Sequence, residues 1–366
     1  MGFSSLGERV SVGVKAHVLY NRLLTREEYW SLLSSQTVAE VADKLRSMSY
    51  SESLSTLSMD PHRFEIEESV RTSLVSQAEN LLGHFGESRK KFFRAWYSWY
   101  EAENMKSIFR YIAAGRTERD DLRRRLYPIM MSHISFENML VAKDFAEVVE
   151  LFRGTSFYRV LSEPLRRLSS GEETSLFPLE MALDGYVELS LFRAMNKLAP
   201  DERKMLLPIF GTRIDLFNLY ILYRALVFYD LTPEEILNRL LPVRYRISLQ
   251  ILRECVRFKT FSDVASAIEE RFPAYVDLFD DASRDDEPQL ALERNIKRYI
   301  YIQCQKVFRS GSPAFHTAMS YFILKEYEIS DITHVVEGVR YGYDRRKSAA
   351  YLIAPVISGG EPEWQY

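Results

Sequence analysis

Glycine and proline are scarce, at 15 and 13 in 366 residues. These residues punctuate turns, so their low count leaves room for long helices and argues against many short strands. Cysteine is scarcer still. Cys255 and Cys304 are the only two, and they lie far apart, which excludes a disulfide framework and fits a reduced, cytosolic compartment. An excess of one charge is also missing: 48 Lys and Arg stand against 51 Asp and Glu, a formal net charge of −3, with none of the basic surplus that nucleic-acid binding asks for. No apolar run reaches the ~18 residues of a bilayer span. The stretch from Leu216 to Tyr229 comes nearest, and Asn218 and Arg224 interrupt it. The opening MGFSSLGERV has no apolar signal core. These absences predict a chain that neither spans a membrane nor is exported, with 46% hydrophobic residues to build a large core.

Catalytic patterns are absent too. His17, His62, His84, His133, His316 and His334 form no H-E-x-x-H or H-x-x-x-H pair, so a helical zinc site has no support. There is no phosphate-cradling G-x-x-x-x-G-K-[ST], no G-x-G-x-x-G and no G-x-S-x-G elbow. One acidic run, Asp280, Asp281, Asp285, Asp286 and Glu287, has the oxygen ligands that magnesium prefers. It lacks the helical i, i+4 presentation, and Arg284 stands where a D-D-x-x-D pattern needs its last carboxylate. No cofactor is implied.

What the chain does have is a triplication. An apolar residue followed by glutamate occurs as Ile66-Glu67, Leu179-Glu180 and Leu292-Glu293, the glutamates 113 residues apart each time. A second marker, Glu101-Ala-Glu-Asn104-Met105-Lys-Ser-Ile108-Phe109-Arg110, aligns with Asp215-Leu-Phe-Asn218-Leu219-Tyr-Ile-Leu222-Tyr223-Arg224. A degraded third copy runs from Glu328 through Asp331 to Glu337. Short amphipathic segments precede these markers: Val38–Val41 with Leu45, Tyr50 and Leu54; Phe145–Val148 with Phe152, Phe157 and Leu161; and Phe261, Val264 and Ile268. Their i, i+3, i+7 stripes predict helices packed on one side. Thr232 before Pro233 reads as a helix N-cap. The aromatic stripe Phe92, Phe93, Trp96, Tyr97, Trp99 and Tyr100 reads as core. The period sets an all-α fold of three helical lobes, at 1–118, 119–231 and 232–366.

At 100° per residue, Glu101, Asn104, Met105 and Ile108 share one helix face while Arg110 lies about opposite Glu101. Acid and arginine therefore cannot pair within the helix. Asn104 and Asn218 are expected to be buried, with their amides satisfied by a neighbouring helix or by backbone. Arg110 and Arg224 then face solvent or another lobe. The bland reading is a set of hydrogen bonds fixing bundle geometry; the sharper one is a partner-facing signature. Asp331 and Glu337, replacing Asn and Arg in copy three, would make the lobes non-equivalent and suit an asymmetric ligand such as a rod.

The three-fold helical pattern, with E/D-x-x-N-[ML]-x-x-[IL]-[FY]-R in its first two copies, resembles the C subunit of the V/A-type rotary ATPases, called d in eukaryotic complexes. Asn21–Tyr29, Thr37–Val41, Ser49-Tyr50 and Val339-Arg340-Tyr341-Gly342-Tyr343 carry the same resemblance, which covers about residues 10–350. It implies a funnel of three similar lobes around a pseudo-three-fold axis, seated on the cytoplasmic end of the proteolipid c-ring and receiving the tip of the central shaft. Such a part carries torque and does no bond chemistry. Two other readings stay open: a helical-repeat scaffold for a different protein partner, and a magnesium-dependent all-helical synthase.

Overall fold

The computed structural model describes residues 3–116, 119–129, 132, 134–229, 231–279, 288–310 and 314–356. His133, Asp230 and the acidic run 280–287 lie outside them. Among the described residues the chain is all-α, without a strand. In order the helices are α1 (Phe3–Tyr20), α2 (Arg26–Leu33), α3 (Val38–Ser47), α4 (Arg63–Leu82), α5 (Glu87–Ala113), α6 (Arg119–Arg125), α7 (Phe136–Val141), α8 (Phe145–Leu151), α9 (Tyr158–Ser169), α10 (Phe177–Met195), α11 (Pro200–Phe228), α12 (Pro233–Arg239), α13 (Leu249–Cys255), α14 (Phe261–Arg271), α15 (Pro288–Arg309), α16 (Phe315–Tyr341) and α17 (Arg345–Tyr351). A 3-10 turn covers Pro273–Leu278.

Local chemistry sets the boundaries. α12 opens on Thr232, whose hydroxyl accepts the Glu235 N–H at 3.3 Å while Glu235 takes the Thr232 N–H at 2.9 Å, a reciprocal cap with Pro233 in the first turn. His62 caps α4, its Nδ1 accepting from Phe64 N at 3.4 Å. α11 starts with Pro200, Asp201 and Glu202, the proline and carboxylates that a helix N-terminus favours. α16 ends at Gly342, left-handed at φ 65°, with the Tyr343 N–H returning to Gly338 O at 2.8 Å.

The chain divides into two compact units, Tyr50–Leu198 and Gly2–Ser49 with Ala199–Tyr366. In the first, α5 packs on α10 over a core that includes Met105, Ile108, Phe109, Phe152, Leu161, Leu179 and Leu183. The aromatic stripe of α5 is core as expected: Phe92, Phe93, Trp96, Tyr97 and Tyr100 are buried, and Trp99 is half-buried against Tyr100 and Tyr127. In the second unit, α11 packs on α15 around Leu219, Leu222, Leu252, Val264, Ile268 and Leu292. Also in the second unit, α16 packs on α1 and takes α2, α3 and α17 against its sides.

The same pairing thus recurs. Each long signature helix (α5, α11, α16) meets the helix that opens another copy (α10, α15) or, for α16, the N-terminal α1. Residues 3–49 therefore join residues near the C-terminus: the Trp30 indole donates to Val356 O at 3.0 Å. One expected helix does not form. Tyr50 and Leu54 are buried like their counterparts Phe157 and Leu161, yet 50–57 is a series of turns whereas Tyr158–Ser169 is α9. The segment reads Tyr-Ser-Glu-Ser-Leu-Ser-Thr-Leu, and its hydroxyls compete for backbone, as Ser55 Oγ does by donating to Glu52 O at 2.8 Å.

α11 is the one described helix with the length and apolarity to cross a bilayer, and 67% of its most apolar window is buried within the protein. Its buried face includes Asp215 and Asn218. A core helix has those properties.

Candidate functional site

Asn104 on α5 is 1% exposed. Its Oδ1 accepts the Tyr127 N–H at 2.7 Å and its Nδ2 donates to Tyr127 O at 2.9 Å, so one carboxamide satisfies both polar groups of one backbone residue. Glu101, one turn earlier, accepts from Ser132 Oγ at 2.6 Å, and that hydroxyl receives the Ile134 N–H at 3.0 Å. Together they hold Tyr127 and Ser132, which lie between α6 and α7.

The second copy repeats the device. Asn218 Oδ1 accepts the Leu241 N–H at 2.8 Å. Asp215 accepts three consecutive amides, Tyr245 at 3.0 Å, Arg246 at 2.7 Å and Ile247 at 3.1 Å. Burial raises the Asp215 carboxyl above its ordinary range while those three N–H groups pull it back. Close approach here requires Gly211, because a Cβ would lie 2.7 Å from Tyr245 Cγ. In the third copy Asp331 accepts Ile353 N at 2.7 Å and Ala354 N at 2.9 Å. Burial pushes its carboxyl up to about 7 against those bonds. Glu328 holds Lys325 at 2.7 Å and accepts the Leu24 N–H.

In all three copies the clasped amide lies 23 residues after the signature position: Tyr127, Leu241 and Ala354. Asn104, Asn218, Asp215 and Asp331 hold backbone N–H groups, while the Asn218 Nδ2, which was expected to be satisfied, has no partner among the described residues.

The arginines behave differently. Arg110, its side chain 56% exposed, leaves its own copy's clasp and binds Glu180 on α10 at 2.7 Å, and the hydrogen bond to Glu180 raises the guanidinium further. The arginine of copy one therefore meets the marker glutamate of copy two. One turn earlier Lys106, its side chain 9% exposed, binds Asp184 at 2.9 Å and Glu103 at 2.5 Å. Burial opposes its charge, and the two carboxylates outweigh it, leaving the ammonium held on. Burial, with Glu103 nearby, pushes Asp184 up to about 6 although Lys106 opposes this. Lys106 with Asp184 and Arg110 with Glu180 form an antiparallel ladder along α5 and α10.

Between copies two and three the ladder is modified. The Tyr220 hydroxyl donates to Glu293 at 2.7 Å, and the Arg224 guanidinium lies 5.8 Å from the Tyr220 ring centroid. Glu67 on α4 is buried and faces Arg71 at 3.5 Å, an i, i+4 pair. Glu337 is half-buried on α16.

Sequence reasoning missed Lys106 and Asp184. The signal was present: Lys106 and Arg110 are i, i+4, as are Glu180 and Asp184, two complementary strips on helices that the period makes neighbours. Among the described residues no cluster of three His, Cys, Asp or Glu side chains could hold a metal. Burial lifts both thiols, Cys255 to about 11 and Cys304 further, so neither is poised as a nucleophile.

A family model described as ATP synthase (C/AC39) subunit matches residues 13–351. Curated relatives are named as the C subunit of A-type ATP synthases. The Methanothermobacter thermautotrophicus protein is 28% identical over 250 residues, 68% of this chain and 62% of that protein's length. The Archaeoglobus fulgidus protein is 23% identical over 341 residues, 90% of this chain and 91% of that one, and the Methanosarcina mazei protein is 20% identical over 331 residues, 90% and 88%.

Proposed function

Because the chain belongs to the ATP synthase (C/AC39) subunit family, we propose that it is a non-catalytic rotor subunit of a V/A-type ATPase, a socket that links the central shaft to the membrane proteolipid ring. Three helical lobes, at 1–118, 119–231 and 232–366, would stand as a funnel around a pseudo-three-fold axis, peripheral to the membrane on its cytoplasmic side. The observation that carries this reading is the family match across residues 13–351, on a chain whose candidate site is spent on internal clasps. The packing supports it. A torque adaptor must resist shear, and long helices closed by buried clasps and by the Lys106–Asp184 and Arg110–Glu180 ladder transmit strain with little compression.

The test is a pull-down with the tagged full chain from detergent-solubilised membranes of the source organism. The socket reading expects shaft subunits and proteolipids of one rotary ATPase in stoichiometric yield. Recovery of neither class, with the chain folded, would refute it.

A further inference from the structure

The turn between α16 and α17 gathers cations and exposed tyrosines in one short stretch. Arg340 through Lys347 are all exposed, in the sequence Arg-Tyr-Gly-Tyr-Asp-Arg-Arg-Lys. Tyr341 and Tyr343 are each 58% exposed, among the most exposed large side chains. They stack on each other, centroids 5.9 Å apart at 25°, and the Arg340 guanidinium sits 5.1 Å from the Tyr341 centroid. Four cations stand here against one carboxylate, and that carboxylate is already engaged: Asp344 caps α17 by accepting the Lys347 N–H at 2.9 Å. Among the described residues none of the four cations has an ion pair. Elsewhere some exposed arginines, Arg123, Arg153 and Arg166 among them, lie on neighbouring carboxylates, while others such as Arg239 and Arg253 have no ion pair among the described residues; this turn gathers four such cations beside a stacked pair of exposed tyrosines. A chain with net charge −3 has acids to spare, so four unpaired cations on a short turn leave a local field unmet within the protein.

The turn is also tied to its surroundings. Gly342 holds the left-handed cap, and Gly338 lets α17 approach so closely that a Cβ there would lie 2.9 Å from Ser348 Oγ. Arg345 donates to Ser34 Oγ at 3.3 Å. A preorganised pair of tyrosines flanked by arginines loses little entropy on docking, and tyrosine and arginine dominate the energetic centres of protein interfaces.

We propose that the Arg340–Lys347 turn is a docking surface for an acidic protein surface of a partner subunit, its carboxylates meeting Arg340, Arg345, Arg346 and Lys347 and a flat side chain covering the tyrosine pair. This inference rests on the rotary-ATPase reading above for the identity of the partner. Charge complementarity favours this occupant: cations supply steering and register while the tyrosines supply buried area. An anionic lipid surface would offer charge to the same cations but no fixed partner for two stacked rings.

The test uses the purified full chain and the rotary ATPase complex isolated without it, with binding read by interferometry at low and physiological ionic strength. Arg346→Glu/Lys347→Glu is the main variant. It should fold well, because Glu at the position of Lys347 completes a reciprocal cap with Asp344. The proposal expects at least about tenfold weaker binding, with a larger effect at low salt. Tyr341→Ala/Tyr343→Ala should also weaken binding, at both salt concentrations. Lys90→Glu/Lys91→Glu, on α5, should bind as wild type. Equal binding by wild type and both turn variants overturns the proposal and leaves the rotor reading standing. Turn-dependent binding of wild type to phosphatidylglycerol–phosphatidylcholine vesicles, with complex binding unchanged by the variants, also overturns it. Failure of wild type to bind the complex removes both readings.

Discussion

Replacing Asn104 or Asn218 by leucine should have unequal costs, because the two amides have different partners. Asn104→Leu takes the carboxamide oxygen from the Tyr127 N–H and one of two donors from the Tyr127 C=O, which keeps the Ile129 N–H at 2.9 Å, at a side chain that is 1% exposed. A buried N–H without its acceptor costs about 1–3 kcal/mol and the lost bond at the C=O about 1 kcal/mol, so the loss is about 2–4 kcal/mol before the added apolar contact offsets part of it. Asn218→Leu orphans only the Leu241 N–H, and it also removes a buried Nδ2 that has no partner among the described residues. The desolvation relieved at Nδ2 then cancels much of the cost, leaving about 0–2 kcal/mol. The expected gap is about 2 kcal/mol, a factor of roughly 30 in the local opening equilibrium.

Hydrogen exchange read by mass spectrometry is the fitting assay, because a chain of two compact units need not unfold in one step. In Asn104→Leu, peptides containing Tyr127 should lose protection by about 30-fold more than Leu241 peptides lose in Asn218→Leu. A control follows from the donor pattern. Asn104→Asp keeps the Tyr127 N–H bond but sets a carboxylate oxygen against Tyr127 O, so it should be costlier at pH 8 than at pH 4. Equal losses in the two leucine variants, or unchanged Tyr127 exchange in Asn104→Leu, would refute the reasoning.

Asp215→Leu strands three consecutive amides and should destabilise the second unit by at least about 3 kcal/mol, while Asp215→Asn, which keeps one oxygen, should cost about half as much in urea melts. Lys106→Met leaves Asp184 without its lysine; the cost should be about 3 kcal/mol at pH 8 and clearly smaller at pH 5, where a proton takes the cation's place. Asp184 itself, raised from 3.8 to about 6, contributes stability that is present below pH 4 and lost as pH rises through 6, at most ~3 kcal/mol; Asp184→Asn should flatten that slope in melts from pH 4 to 8. Arg110→Ala removes a largely exposed pair and should cost no more than about 1 kcal/mol, so a greater loss in a double-mutant cycle with Glu180→Ala would show a stronger linkage than surface pairing allows.

Much of the helical framework was legible in the sequence, for physical reasons. The 113-residue spacing of Glu67, Glu180 and Glu293 marks equivalent helix starts, and the aromatic stripe on α5 could only be core. Thr232 before Pro233 is a local signal, and it caps α12. The clasp was half legible: a buried Asn among apolar residues must find polar partners, but a helical wheel cannot say which backbone segment returns to it. That segment, 23 residues on, is irregular in each copy, with no periodicity to read. Arg110 binds Glu180 on another helix, a partner that a single-helix wheel cannot supply. The return of residues 3–49 onto α16 was not readable, because it depends on packing across the whole length of the chain.

The residue types at the third signature position now have a reason beyond drift. In copy one the returning segment offers the N–H and C=O of a single residue, and only a carboxamide, with one acceptor and one donor, can answer both. In copy three the segment offers two successive N–H groups, Ile353 and Ala354. A carboxamide there would set its own NH2 against an N–H, whereas a carboxylate accepts on both oxygens, so Asp331 matches the donors it meets despite full burial. Copy two shares the amides between two side chains, Asn218 taking one and Asp215 three. If this matching rule holds, Asp331→Asn should destabilise α16–α17 packing at pH 8, by about 1–3 kcal/mol for one orphaned amide less the relief of removing a buried charge. At pH 5, where Asp331 raised to about 7 is already protonated in the wild type, that relief disappears and the variant should compare less favourably. A variant as stable as wild type at pH 5, with Ile353 and Ala354 amides equally protected, would show that donor matching does not choose the residue.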